Sequence, residues 1–313
     1  MRLFELDRYS APALLAWTAL FWAGNMVVGR AVAGAMSPIA LAYWRWVIVI
    51  IVLAPFCWRE VARRRSLLFR SWRILLLLGC MSTALYNSLT YWALTYTTAT
   101  NTTVLNSMIP ICVMFGSWVL LRETPSLRPL TGFAISLVGV LFVVARGHPG
   151  NLMTAAPNPG DLIMLIALFL WGFYAVLLRY RPAQLSALGY VFVTGLIGLV
   201  IATPFFLVDR ATGVDGSGAG FSRQTLAAIG YFALFPTLAA TVCYNHAVDR
   251  IGPVPASMFI HLVPLFGALL AVLFLDERPG WHHLVGMVLV IAGILLSHRT
   301  PLSGWASRQG SSR

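Results

Sequence analysis

Apolar residues in this chain neither alternate nor recur only at helical spacing; they run almost unbroken, one stretch after another. Runs near 12–32, 38–58, 73–94, 101–121, 127–145, 160–179, 187–208, 224–248, 254–275 and 281–298 each approach the ~20 residues that a helix needs to cross a hydrocarbon core. Turn signals separate them, among them Ser37-Pro38, Gly147-His148-Pro149-Gly150, Pro157 to Gly160 and the glycine-rich stretch from Gly213 to Gly220. A backbone in lipid must satisfy its own polar groups, so such runs predict helices. The expected fold class is an all-α integral membrane protein of ten transmembrane helices. The first run is long enough to span and is followed by another span, so it reads as a retained helix rather than a cleaved signal.

The runs also repeat. At an offset of 154 residues Ala93 matches Ala247, Pro110 matches Pro264, Leu121 matches Leu275, Glu123 matches Glu277, Gly132 matches Gly286 and Gly139 matches Gly293. Nearer the start of each half the offset falls to 148 or 149, pairing Ala19-Leu20-Phe21 and Gly24 with Ala167-Leu168-Phe169 and Gly172, Ser37 with Ser186, and Pro55 with Pro204. Five spans per half is an odd number, so the second copy enters the membrane from the opposite face. The chain thus divides into a first five-helix repeat (1–146), a linker (147–159), a second, inverted repeat (160–299) and a cytoplasmic tail (300–313). Inverted repeats are a transporter architecture, because two similar halves in opposite orientation have two nearly equivalent packings, one open to each side.

Composition agrees with a lipid solvent, at 59% hydrophobic and 10% charged residues. All twenty-two basic residues are Arg, and with ten acidic ones they give a net charge of +12. Such a balance can signal nucleic-acid binding, but here the arginines sit between apolar runs, so nucleic acid is set aside. With the N-terminus inside, sixteen arginines fall on the cytoplasmic side and five outside, Arg45 lying within a span. That asymmetry places both termini in the cytoplasm; the uniform use of Arg looks like a codon-composition habit and suggests a GC-rich bacterial genome, hence a bacterial inner membrane. Cys57, Cys80, Cys112 and Cys243 lack CxxC spacing and read as core residues, so no metal or other cofactor is expected.

Pro110 and Pro264 interrupt spans four and nine at equivalent positions, each removing a backbone hydrogen bond; such paired interruptions point toward a binding site and can equally serve to bend the helix. Arg45 lies ~10 Å inside its span, where an unpaired guanidinium is costly. It either attracts a solute carboxylate or, the reading slightly favoured, snorkels or ties helix ends through carbonyls. Glu123 and Glu277 follow spans four and nine and read as loop anchors or gating pairs. His261 precedes Pro264 by three residues and could titrate in a cavity, although a structural bond to a neighbouring helix weighs somewhat more. Trp22, Asn25, Tyr86, Asn106 and Tyr174 are deep polar or aromatic positions expected to line a cavity, with interhelical hydrogen bonding as the competing account. Gly132 and Gly139, like Gly286 and Gly293, lie seven apart and read as close-packing positions.

Several of these residues resemble the EamA-type permeases of the drug/metabolite transporter superfamily, ten-helix proteins with duplicated halves. The likeness rests on Tyr91-Trp92-Ala93-Leu94, Thr97-Thr98-Ala99, Pro110, Leu121-Arg122-Glu123-Thr124, Gly132 and Gly139, repeated as Pro264, Leu275-Asp276-Glu277-Arg278, Gly286 and Ala292-Gly293. Arg45 also sits where these proteins commonly carry an arginine. The resemblance implies a permease for a small polar metabolite, amino-acid-like and exported. Four-helix multidrug exporters of the superfamily use a first-span carboxylate, and Phe21-Trp22-Ala23-Gly24-Asn25 has none. Coupling stays open between facilitated diffusion and a histidine-linked proton step. The alternatives are a carrier of phosphorylated sugars or nucleotide-sugars, for which one buried arginine is a poor match, and a non-transporting membrane or lipid-handling subunit. An enzyme is not expected, since no nucleophile with a base and no phosphate loop is present.

Overall fold

The computed structural model describes residues 9–32, 36–94, 96–97, 102, 105–124, 126–145, 147–148, 150, 158–211, 222–274 and 281–298. Regular structure among them is entirely helical. Helices α1 (Ala11–Ala31) and α2 (Pro38–Arg63) are followed by the short α3 (Arg65–Arg70). The next run is built in three pieces: α4 (Trp72–Gly79), a π-helical turn (Cys80–Leu85) and α5 (Tyr86–Leu94). Then come α6 (Ile109–Leu121), α7 (Leu127–Val144), α8 (Pro159–Leu177) and α9 (Ala187–Ala211). A second three-piece run joins α10 (Arg223–Phe232), a π-helical turn (Ala233–Ala239) and α11 (Ala240–Ile251). Finally α12 (Pro253–Met258), a 3-10 turn (Phe259–His261) and α13 (Leu262–Phe274) lead to α14 (Trp281–His298).

Local chemistry sets these boundaries. Ser37 caps α2 by accepting from the Ala40 amide at 3.1 Å, with Pro38 as the first helical residue, and Ser222 caps α10 through Thr225 in the same way. Asn158 and Asp161 form a reciprocal capping box ahead of α8. Arg122 ends α6 in the left-handed conformation, at φ 55°.

By length and composition, six helical runs among the described residues can cross a membrane: Ile39–Arg63, Leu127–Val144, Pro159–Tyr180, Ala187–Ala211, Arg223–Ile251 and Pro253–Phe274. Ile109–Leu121 and Trp281–Ser297 are shorter apolar helices. The sequence expects ten spans; α1 and the 72–94 run are not among these six. Large apolar side chains such as Ile51, Val138, Leu162 and Leu284 face outward. A water-soluble protein does not carry such a continuous apolar surface, and lipid accounts for it.

Two antiparallel helix pairs frame the bundle. In one, α7 crosses α14 at paired glycines. A Cβ built on Gly132 would lie 2.6 Å from the carbonyl oxygen of Gly293, and one on Gly139 would lie 2.8 Å from that of Gly286. Only hydrogen atoms fit there, and in lipid this backbone approach supplies the packing energy that the hydrophobic effect cannot. The other pair is α2 and α9, where Tyr43 stacks on Phe206 at 4.2 Å and Gly195 makes room for Trp46. Between the pairs, α1 packs on α11 and α13, while α8 packs on α5 and α6.

Gly132→Val should destabilise the protein by about 1–3 kcal/mol through overpacking against the Gly293 backbone. Gly230→Val, at a glycine with open space around it, should change stability far less. Denaturation midpoints of the purified variants in one detergent check this contrast.

Candidate functional site

The interior between α1, α5, α8 and α11 is aromatic. Trp171 is its hub, with ring centroids 5.7 Å from Trp22, 4.9 Å from Tyr86, 5.3 Å from Tyr174 and 6.0 Å from Tyr244. The two π-helical turns help to build it. Tyr86 is the first residue after one, and the Pro236 carbonyl of the other accepts a hydrogen bond from Trp22 Nε1 at 3.1 Å. An extra residue in such a turn displaces one hydrogen bond and re-aims the side chains that follow it. A narrow crevice runs beside Trp22 and Tyr244, bounded by Thr18, Phe259 and Ile260.

Several polar atoms of this interior are idle. Trp171 Nε1, the Tyr244 hydroxyl and Asn245 Nδ2 are buried without a hydrogen-bond partner, while Asn245 Oδ1 accepts from the Tyr174 hydroxyl at 3.4 Å. Buried donors are usually satisfied. A group of three within one aromatic cluster is suited to a bound polar molecule or to water.

Sequence-selected residues divide in space. Trp22, Tyr86 and Tyr174 come together in the cluster, and Asn106 joins them through the Tyr86 hydroxyl at 3.4 Å. Asn25 is half-buried one turn beyond Trp22 on α1. Arg45 lies apart from the rings, its Nη2 donating to Asn87 Oδ1 at 2.5 Å. Asn87 in turn borders a small opening, with Tyr43, Trp46, Thr83, Ser88 and Phe205.

His261 is fully buried, with Nε2 2.8 Å from the Ser107 carbonyl and Nδ1 2.6 Å from Ser136 Oγ. A carbonyl only accepts, so the ring is protonated at Nε2, while Ser136 Oγ, which also reaches the Phe133 carbonyl at 3.1 Å, is the hydrogen-bond partner of Nδ1. Both nitrogens are thus engaged in tying α12–α13 to the first half. Pro110 and Pro264 stand in the first turns of α6 and α13, directly after the backbone irregularities at 107–108 and 259–261. Glu123 faces Arg179 at 3.7 Å, and Glu277 lies outside the described residues.

Helix ends carry a motif that the sequence reading passed over. At one end of the α2/α9 pair, Ser37 Oγ donates to Asp209 Oδ2. At the other, Ser186 Oγ donates to Glu60 Oε2 at 2.6 Å and the Ser186 amide donates to Glu60 Oε1 at 2.8 Å. Both serines cap their own helices, toward Ala40 and Gly189. Nearby, Arg181 pairs with Asp249 and lies over the Tyr190 ring. The signal was in the chain: Ser37 and Ser186 already match at the 149-residue offset, and Glu60 and Asp209 keep that same offset. Trp171 was also missed, because its repeat partner is Ala23 and nothing in composition singles it out.

Comparison with known proteins places this arrangement. A family model described as the EamA-like transporter family matches residues 10–145 and 158–299. An uncharacterized transporter of Archaeoglobus fulgidus is 29% identical over 293 residues, covering 91% of this chain and 96% of the relative. A probable terminal-alkyne amino-acid exporter of Streptantibioticus cattleyicolor is 23% identical over 231 residues, covering 72% and 73%. A solved crystal structure superposes with a TM-score of 0.73 at 16% identity, covering 92% of this chain and 98% of that one, which supports the fold alone.

Trp22→Phe and Trp171→Phe both remove an indole N–H and similar volume, but only Trp22 leaves an accepting carbonyl behind. Trp22→Phe should therefore cost about 1 kcal/mol more than Trp171→Phe. Equal denaturation midpoints for the two variants would show that the Trp171 N–H has an internal partner after all.

Proposed function

The chain belongs to the EamA-like transporter family, and from that premise we propose that it moves a small polar, amino-acid-like metabolite out of the cell by alternating access between two inverted five-helix halves. It is a multi-pass membrane transporter of a small molecule; substrate class, direction and mechanism are the proposed part. Ten spans, with both termini in the cytoplasm of a bacterial inner membrane, belong to the same proposal.

What carries the reading is that the helix contacts survive exchange of the halves. Under the repeat offsets, α7 corresponds to α14 and α2 to α9, so each framing pair is a helix against its own counterpart. The most extensive of the other contacts swap in kind: α1 on α11 and α13 becomes α8 on α5 and α6. His261 bonds the Ser107 carbonyl, its own counterpart at 154 residues. Counterparts packed antiparallel imply a two-fold axis perpendicular to the helices, hence in the membrane plane.

The serine–carboxylate clasps then sit at opposite faces, Ser37 with Asp209 outside and Ser186 with Glu60 inside. A hydrogen bond to a charged group contributes ~1.5–3 kcal/mol net, comparable with the gap between two populated conformations. Opening outward breaks the first clasp and keeps the second, and opening inward does the reverse. The outer clasp is buried, with Ser37 and Asp209 each 8% exposed, whereas the inner one is solvated and Glu60 is shared with Arg64 at 3.8 Å. Opening inward therefore costs less, so of the two open states the one facing the cytoplasm, where an exporter loads, is the more populated. The amino-acid exporter among the relatives supports the same direction. The engagement of both His261 nitrogens by protein groups weighs against a proton step at that residue.

In a cysteine-free background, disulfide cross-linking of Ser37→Cys with Asp209→Cys, or of Ser186→Cys with Glu60→Cys, should stop counterflow of labelled amino acids in proteoliposomes, and reduction should restore it. Wild-type counterflow with either clasp locked would refute alternating access through these ends. Asp209→Asn should raise outward accessibility by about 10–100-fold, the equilibrium equivalent of the hydrogen bond it weakens.

A further inference from the structure

Arg45 is 9% exposed, and none of the ion pairs among the described residues includes it. Its Nε is buried without a hydrogen-bond partner, and its described hydrogen bond runs from Nη2 to Asn87 Oδ1. The partner is a neutral side chain, neither a carboxylate nor a carbonyl at a helix end. The side chain is held inside rather than extended to the membrane surface.

The hold on Arg45 is itself built. Asn87 Nδ2 donates to the carbonyls of Ser82 at 3.2 Å and Thr83 at 3.1 Å. Both carbonyls belong to the π-helical turn Cys80–Leu85, where the displaced hydrogen-bond pattern leaves acceptors for a side chain. With its amide nitrogen engaged there, Asn87 can present only its oxygen to Arg45. Asn87 also borders the small opening beside Tyr43 and Trp46, and the preceding residue, Tyr86, belongs to the aromatic cluster around Trp171. A fixed guanidinium with unused donors is therefore held by the residue that lines this opening and follows Tyr86 in the chain.

We infer that Arg45, positioned by Asn87, is the seat for the carboxylate of the transported solute. A guanidinium offers a planar fork of donors matched to a carboxylate's two oxygens, and its idle donors are what such a ligand would complete. A single cation fits a monoanion better than a phosphate group, which wants several cationic donors. The inference deepens the transporter reading and rests on it for the word transported; the anion seat can be tested without transport.

Two readouts keep those claims apart. The first is thermal unfolding of the purified full chain in nanodiscs with L-phenylalanine or L-leucine, with the decarboxylated counterparts 2-phenylethylamine or 3-methylbutylamine, and with inorganic phosphate. The acids should raise the midpoint and the amines and phosphate should not. Arg45→Gln should weaken the acid effect at least tenfold in apparent affinity. Asn87→Asp is the sharper variant: it places a carboxylate on Arg45 without changing side-chain size, so the protein should stay folded while losing the acid effect. Equal shifts from acids and amines, a shift from phosphate alone, no shift from any probe, or an unchanged acid effect in Arg45→Gln or Asn87→Asp each overturns the seat. The second readout is counterflow of the same labelled acids. Counterflow that is as fast in Arg45→Gln as in wild type overturns the seat and leaves the transporter standing. Acid-specific thermal shifts lost in both variants, with no counterflow in wild type, support the seat and refute transport of these solutes.

Discussion

Close backbone approach at the α7/α14 crossing is the constraint on which the bundle depends. In lipid, helices gain nothing from hiding apolar surface, because the solvent is itself apolar, and association must come from contact. Gly132, Gly139, Gly286 and Gly293 provide that contact by removing the side chains that would hold two backbones apart. The crossing also fixes relative direction, since the carbonyl near Gly132 is that of Gly293 and the one near Gly139 is that of Gly286. Once this pair is antiparallel, the neighbours connected to it by short loops inherit their orientation.

Polar groups are then confined to places where the fold can repay their burial. Carboxylates among the described residues gather at helix ends, where Ser37, Ser186, Arg179 and Arg181 meet them. Deeper in the bundle, the chain keeps neutral donors and aromatic faces, with Arg45 the exception. The π-helical turns contribute to this economy by freeing carbonyls in mid-span: one set orients Asn87, and the Pro236 carbonyl fixes Trp22.

Much of this was legible in the sequence because it is periodic or repeated. Uninterrupted apolar runs announce helices in lipid, and glycines at seven-residue spacing, duplicated at 154 residues, announce a close crossing. Trp22, Tyr86 and Tyr174 could be chosen because a large polar-tipped ring deep in a span has few places to point. Trp171 could not, because its role comes from where three other helices put their rings. Nor does sequence reveal that Cys80–Leu85 and Ala233–Ala239 are π-helical, since a single extra residue in a turn leaves no compositional mark. The clasps fall between these cases. Their residues obey the repeat, but only the antiparallel pairing of α2 with α9 brings a serine at one helix start to a carboxylate at the other helix end.

That pairing has a consequence for how such a protein can arise. Ser37 and Glu60 stand 23 residues apart on one helix, and Ser186 and Asp209 stand 23 apart on the other. Each helix therefore bears half of both clasps, and its surface is complementary to a copy of itself turned end over end, as an isologous interface is. A five-helix ancestor bearing one such helix would join a second copy of itself through that surface, closing both ends of the homodimer at once. Fusing two copies into one chain then asks for no new contact, only for a linker, and leaves each end free to diverge into the buried outer clasp and the solvated inner one.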